Sequence, residues 1–241
     1  MKWRSLEESA LQTETRSLHQ IYAERKALIS KYVPADIQAV HARVVAELKQ
    51  SKIADQALGV GADLPRFDLP GQNGNIVRST DLAQTGPVVI LFIRGRWCPF
   101  CVGQLEAMNS ILPELQERGA SLIAISPQTV HQNSLMADQH KLRFPVVSDA
   151  ANKVAALFGL VYRVPEYQQE VYSRAFVNLP FVNGGDSWQL PIPATYIAKN
   201  VDAIGPNATS SHKILYASPN PDYTDRPEPA SLLEFVAQLQ S

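Results

Sequence analysis

The sequence predicts an α/β fold, a central sheet flanked by helices, and three observations carry that expectation. An unbroken apolar run, Val88 to Ile93, reads as a buried strand, and two more apolar strands follow at Leu122–Ser126 and Phe144–Asp149. Helical patterns separate these strands, the alternation of βαβ units around a largely parallel sheet. The only two cysteines of the 241-residue chain, Cys98 and Cys101, stand three apart where the first of these strands runs into a helix.

Residues 1–56 read as an N-terminal helical extension. Leu11, Leu18, Ile21, Leu28 and Ile29 recur at near-helical spacing, Pro34 breaks the pattern, and a second amphipathic helix runs through Ile37, Val40, Val44, Val45 and Leu48. The extension holds no cysteine and no clustered carboxylates, so its expected role is packing, against the main domain or against a second copy in a homodimer. The Gly/Pro-rich stretch Gly59–Pro65 marks the boundary, and residues 57–241 are expected to form the main domain. Phe67 to Val77 reads as a short hairpin around Asn73-Gly74. Leu82 begins a brief turn, and Gly86-Pro87 punctuates before the central strand.

The helix that carries the cysteines contains Pro113, which predicts a kink, and ends at Arg118-Gly119. Helices are expected at Gln132–His140 and Lys153–Phe158, the latter stopped by Gly159. Residues 160–190 are less regular, with Tyr162, Tyr167, Tyr172, Phe176 and Trp188 scattered among polar residues. Packing beneath a long insertion is favoured for these aromatics over a cleft wall. Ile192-Pro193 leads into an apolar strand through Ala198. Ile214–Ala217 is expected as an antiparallel last strand, which makes the sheet mixed, and Ser231–Leu239 as a closing helix. Asn207-Ala208-Thr209 fits a glycosylation triplet but reads as incidental.

Composition bounds the function. Hydrophobic residues make up 45% and charged residues 19%, ordinary for a globular core. A net charge of −1 gives no footprint for nucleic acid or an anionic membrane. No apolar run approaches the ~18 residues of a spanning helix, and the first residues lack the apolar centre of a signal peptide. A cytoplasmic location is the default, and there a cysteine pair is more often catalytic than structural.

The stretch Arg94-Gly95-Arg96-Trp97-Cys98-Pro99-Phe100-Cys101 therefore holds the candidate chemistry. Side chains three apart at a helix N-terminus share one face, and the unpaired N–H groups there favour a thiolate. A free thiol has a pKa of about 8.5, and such positions lower it to roughly 3.5–7.5. Pro99 suits the first helical position. A structural zinc site needs about four ligands, and His19, His41, His131, His140 and His212 form no paired spacing with the cysteines. Two ordinary buried cysteines and a structural disulfide are the other competing readings, the latter adding little over so tight a loop. A reversible dithiol, without metal or cofactor, is preferred.

From Gly61 to about Leu239 the chain resembles the alkyl hydroperoxide reductase/thiol-specific antioxidant family, peroxiredoxin-like proteins with a thioredoxin-like fold. The matching segments are Gly61–Leu69, Phe92–Cys101, Phe144–Asp149 through Phe158-Gly159, and Pro193–Ile197, in the family's order. The resemblance departs at the site. Laid without gaps on the family's Pro-x-x-x-Thr-x-x-Cys, the proline falls on Arg94, the threonine on Cys98, the peroxidatic cysteine on Cys101 and the downstream arginine on Pro193. A thioredoxin-style alignment instead makes Cys98 the exposed attacking thiol and places Pro193 where thioredoxins carry a cis-proline. Cys98 is the preferred nucleophile, because the earlier cysteine of such a motif is usually the exposed one.

The resemblance implies a thiol peroxidase, acting on hydrogen peroxide or organic hydroperoxides and recycled by thioredoxin or a glutathione-type thiol. Arg94 and Arg96 would supply positive charge and hydrogen bonds to the peroxide, against the reading of a solvated turn. Trp97, Pro193 and Thr195 would line the site, with strand packing the competing role for Thr195. Two alternatives stay open: a thiol–disulfide oxidoreductase that pairs a substrate strand with the backbone beside Pro193, and a non-enzymatic redox sensor.

Overall fold

The computed structural model describes residues 16–82, 86–201 and 211–239. Leu11 and the Asn207–Thr209 triplet lie outside the described residues. Helices α1 (Leu18–Tyr32), α2 (Ala35–Gln50) and α3 (Ile53–Gln56) precede a hairpin of β1 (Asp68–Pro70) and β2 (Ile76–Arg78) and a short α4 (Ser79–Leu82). The core follows as β3 (Val88–Phe92), α5 (Pro99–Ser110), α6 (Leu112–Glu117), β4 (Ser121–Ser126), α7 (Val130–Gln139), β5 (Val146–Ser148) and α8 (Lys153–Leu157). Then come β6 (Val161–Arg163), α9 (Glu166–Arg174), α10 (Leu179–Asn183), β7 (Gln189–Pro191), β8 (Ala194–Val201), β9 (Ser211–Pro219) and α11 (Pro229–Gln238).

The central sheet runs β5-β4-β3-β8-β9. β3, β4 and β5 are parallel, whereas β8 and β9 are antiparallel to their neighbours. The result is the mixed, thioredoxin-like sheet expected from the sequence. Its two faces follow from strand alternation. Val89, Leu91 and Ile93 join Cys98, Cys101, Leu105 and Val236 on one side. Val88, Ile90 and Phe92 join Phe158, Tyr196 and Ile53 on the other. Every β3 residue is therefore buried, which is why this strand reads as a continuous apolar run.

Two departures from expectation have local causes. The kink foreseen at Pro113 is a complete break. α5 stops at Ser110, Ile111 leaves helical geometry (φ −91°, ψ 1°), and Pro113 sits in the first turn of α6, where its missing N–H costs nothing. Residues 160–190 are more regular than their sequence suggests. β6 and β7 pair as a two-stranded ribbon, and α9 and α10 lie between them. α9 is polar and α10 is barely longer than one turn, so periodicity does not announce them. Tyr172, Leu179 and Leu190 form their own small core with Tyr162 and Trp188, whereas Phe176 is 97% exposed.

The N-terminal helices pack onto the main domain. Ser17 and Gln20 form a reciprocal capping box at α1, and the Glu228 carboxylate accepts the backbone N–H groups of Leu18 (2.9 Å) and His19 (2.7 Å). Leu18 and Tyr22 are buried in the same cluster as the cysteines, with Tyr22 edge-on to Phe100 at 5.0 Å. Among the described residues no helix is long and apolar enough to cross a membrane. Leu18→Ala should lower the unfolding free energy by about 2–4 kcal/mol in a urea titration. A loss below about 0.5 kcal/mol would mean that α1 lies loosely on the domain.

Candidate functional site

The site begins where β3 ends. Gly95 has φ +138°, and a Cβ built there would lie 2.8 Å from both the Gln128 side chain and Trp97 Nε1. Only glycine makes this turn, and Gln128 Oε1 then accepts the Arg96 backbone N–H at 2.6 Å. The chain next enters α5. Cys98 is the N-cap residue with extended backbone (φ −93°, ψ 109°), Pro99 takes the first helical position, and Cys101 lies in the first turn. The Arg94 backbone N–H donates to Cys101 Sγ at 3.4 Å.

Both sulfurs are free thiols and both are buried, Cys98 at 1% exposure and Cys101 at 0%. The expectation of an exposed Cys98 therefore does not describe this chain, because the extension brings Leu18 and Tyr22 of α1 into the cluster that holds both sulfurs. The two sulfurs also differ in proton affinity. Burial raises Cys101, but the Cys98 hydrogen bond, the positive charges of Arg226 and Arg94 and the Arg94 backbone N–H more than offset it, bringing it down to about 5. Cys98 is pushed well above the ordinary thiol range by burial, by donation to Cys101 and by the neighbouring negative charge. The two sulfurs titrate as a coupled pair, with Cys101 the one whose ionised form its surroundings favour.

Arg94 is 2% exposed, not part of a solvated turn. Its guanidinium lies 4.8 Å from the Trp97 ring and 4.4 Å from the Tyr223 ring and donates to Tyr172 Oη. Arg96 turns outward and donates to Gln132 Oε1 of α7 at 2.9 Å, away from the pair that Arg94 faces. Thr195 is buried in β8, where its hydroxyl accepts from Gln104 Nε2 at 3.1 Å. Pro193 is buried between β7 and β8, and its carbonyl accepts from Asn220 N–H at 2.9 Å. Every peptide bond among the described residues is trans, the one before Pro193 included.

Several site residues were not singled out from sequence. Gln104 follows Cys101 by one helical turn, and that spacing could have revealed it. Arg226 is 3% exposed and donates to Gln104 Oε1 at 3.2 Å across 122 residues of sequence, a distance no local pattern bridges. Tyr22 likewise reaches the site from a distant helix, and Tyr172, one of the aromatics noted in residues 160–190, joins it there. His41 packs on Tyr172 and Tyr223, and burial, with Arg94 nearby, lowers its pKa to about 4, so it is neutral at physiological pH. Among the described residues no group of three His, Cys, Asp or Glu could hold a metal ion.

The sequence pattern described as AhpC/TSA family matches residues 60–203. A putative peroxiredoxin of Mycobacterium tuberculosis H37Rv is 32% identical over 100 residues, covering 42% of this chain and 65% of the relative. A thiol-disulfide oxidoreductase, ResA, of Bacillus anthracis is 29% identical over 115 residues, covering 47% and 65%. The chain thus spans just under two thirds of these relatives' length. Among solved structures, the peroxidoxin BcpB of M. tuberculosis superposes with a TM-score of 0.56 at 21% identity, covering 76% of this chain and 99% of that one. A peroxiredoxin 6 mutant of Arenicola marina gives 0.56 at 18% identity, covering 76% and 74%. At such identities these likenesses speak for the fold alone.

In the reduced protein, ultraviolet thiolate absorbance should show one sulfur ionising with a midpoint near pH 5 and the other still protonated at neutral pH. Cys101→Ser should remove the acidic step. Because Cys101 lies below the ~8.5 of an unfolded chain, its contribution to stability is complete above that value and is lost as pH falls through about 5. An acidic step that survives in Cys101→Ser would contradict this ordering of the sulfurs.

Proposed function

The chain belongs to the AhpC/TSA family, and from that premise we propose that it is a thiol peroxidase using Cys101 as nucleophile and Cys98 as resolving thiol. The observation that carries this reading is the asymmetric dithiol. The buried Cys101 sulfur accepts the Arg94 N–H at 3.4 Å, and the charges of Arg226 and Arg94 draw its proton affinity down while burial pushes that of Cys98 up. The Cys101 thiolate attacks one peroxide oxygen. The O–O bond breaks, the other oxygen leaves with the electron pair and takes up a proton, and Cys101 becomes a sulfenic acid. The Cys98 thiol then displaces hydroxide from that sulfur, releasing water and forming the Cys98–Cys101 disulfide. Two external thiols restore the dithiol by exchange, supplying two electrons and two protons and leaving as their own disulfide.

In this reading the Arg94 guanidinium, whose charge acts on both sulfurs, stabilises charge developing on the departing oxygen. Burial of both sulfurs suits a small peroxide, and for recycling it favours a glutathione-type thiol over thioredoxin. A reducing compartment such as the cytoplasm would keep the pair in its working form.

Exchange with protein disulfides is the second reading, and the ResA relatives keep it in view. It receives less support, because the backbone that would pair with a substrate strand is already engaged. The Ile192 N–H donates to Leu160 O at 2.8 Å, and Pro193 O accepts from Asn220. The reduced protein should consume hydrogen peroxide or an organic hydroperoxide stoichiometrically, and catalytically with a thiol reductant present, without reducing insulin. Cys101→Ser should lower consumption about a hundredfold or more. Insulin reduction without peroxide consumption would favour disulfide exchange instead.

A further inference from the structure

We propose that Arg226 is the buried counter-charge of the Cys101 sulfur, a positioning residue held in place through Gln104. Its relevance to catalysis rests on the peroxidase reading, but the electrostatic role stands on geometry. A guanidinium taken out of water persists only where something compensates its charge. Arg226 is 3% exposed, yet its partners are neutral oxygens: Gln104 Oε1 at 3.2 Å and the carbonyls of Asp222 at 3.3 Å and Asp225 at 2.6 Å. Its Nη2 meets no acceptor among the described residues.

The nearby carboxylates are occupied elsewhere. Asp222 accepts from Thr224 and faces Lys49 at 3.7 Å, and Asp225 accepts from Asn220 Nδ2 at 2.9 Å. Glu228 caps α1 and pairs with His19. Glu106, on α5, faces His140 and Arg25. Among the described residues none of these carboxylates forms an ion pair with Arg226, and the ionisable group on the Gln104 face of α5 is Cys101.

Gln104 explains the placement. It follows Cys101 by three residues, so the two side chains share one face of α5. Its amide nitrogen is committed to Thr195 Oγ1, which turns its carbonyl oxygen toward Arg226 Nε. The guanidinium is thereby bonded to the residue one helical turn beyond Cys101. The other ionisable groups around the two sulfurs are Cys98, Arg94, Arg25 of α1, which donates to the Pro99 carbonyl, and the tyrosines 22, 162, 172 and 223. The tyrosines are held protonated chiefly by burial and supply no negative charge. The charge of Arg226 acts on Cys101 and on Tyr22 in the direction this geometry requires.

The test is the thiolate absorbance titration in a Cys98→Ser background, where a single sulfur ionises. Arg226→Gln should move the midpoint upward by about one pH unit or more, and Arg226→Lys, which keeps the charge, should recover most of that shift. A structural role alone would leave the midpoint of a folded variant unchanged, or would make Lys and Gln equivalent; either result overturns the proposal. Should Arg226→Gln fail to fold by circular dichroism, Gln104→Leu removes the side-chain acceptor while retaining the charge. Its midpoint should also rise, and an unmoved midpoint there counts against the proposal equally. Peroxide plays no part in this readout. A protein that titrates as stated but leaves peroxide untouched upholds the role of Arg226 and refutes the peroxidase reading alone.

Discussion

A sulfur anion sealed from solvent needs its stabilisation from the protein, and that need organises this molecule. Desolvating such a charge costs several kcal/mol even after relaxation. On the proposed reading Cys101, at 0% exposure, meets that cost with a backbone N–H, a neighbouring thiol and two guanidinium groups. The N–H and one guanidinium belong to Arg94, and the others come from elsewhere in the chain. The N–H follows from the Gly95 turn after β3, the thiol from the N-cap of α5, and the second guanidinium from the loop before α11.

The scaffold holds these parts together by ordinary packing. β3 is buried on both faces, so the end of the strand and the start of α5 have little freedom. Arg94 is flanked by the Trp97 and Tyr223 rings and bonded to Tyr172, which ties the dithiol to α9 and to the C-terminal loop. α1 closes the other side. Tyr22 donates to the Phe100 carbonyl and Arg25 to that of Pro99. Arg25 can lie there because residue 103 is glycine; a Cβ at that position would collide with the guanidinium. The N-terminal helices are thus part of the site's enclosure, and the sheet and the extension together account for the burial of both thiols.

What could be read from sequence is what local pattern encodes. The strand before the cysteines, the helix they open, the parallel order of β3, β4 and β5, and the Asn73-Gly74 hairpin all show within about ten residues of chain. The burial of Arg94 does not, since an Arg-Gly-Arg turn looks solvated until Tyr172 and Tyr223 are folded against it. Arg226 was invisible for the same reason, because its meaning lies in Gln104 and not in its neighbours. The expected exposure of Cys98 failed because it was carried over from thioredoxin-type motifs, which say nothing of this chain's α1. α9 escaped notice because its apolar face amounts to little more than Val171 and Tyr172.

The claim at the centre is that Cys101, not Cys98, carries the reactive charge. It is tested most directly by treating the Cys98→Ser and Cys101→Ser proteins with hydrogen peroxide in the presence of a sulfenic-acid trap, then locating the adduct by mass spectrometry. The account predicts an adduct on Cys101 in the first protein and little or none on Cys98 in the second. An adduct confined to Cys98 would contradict it.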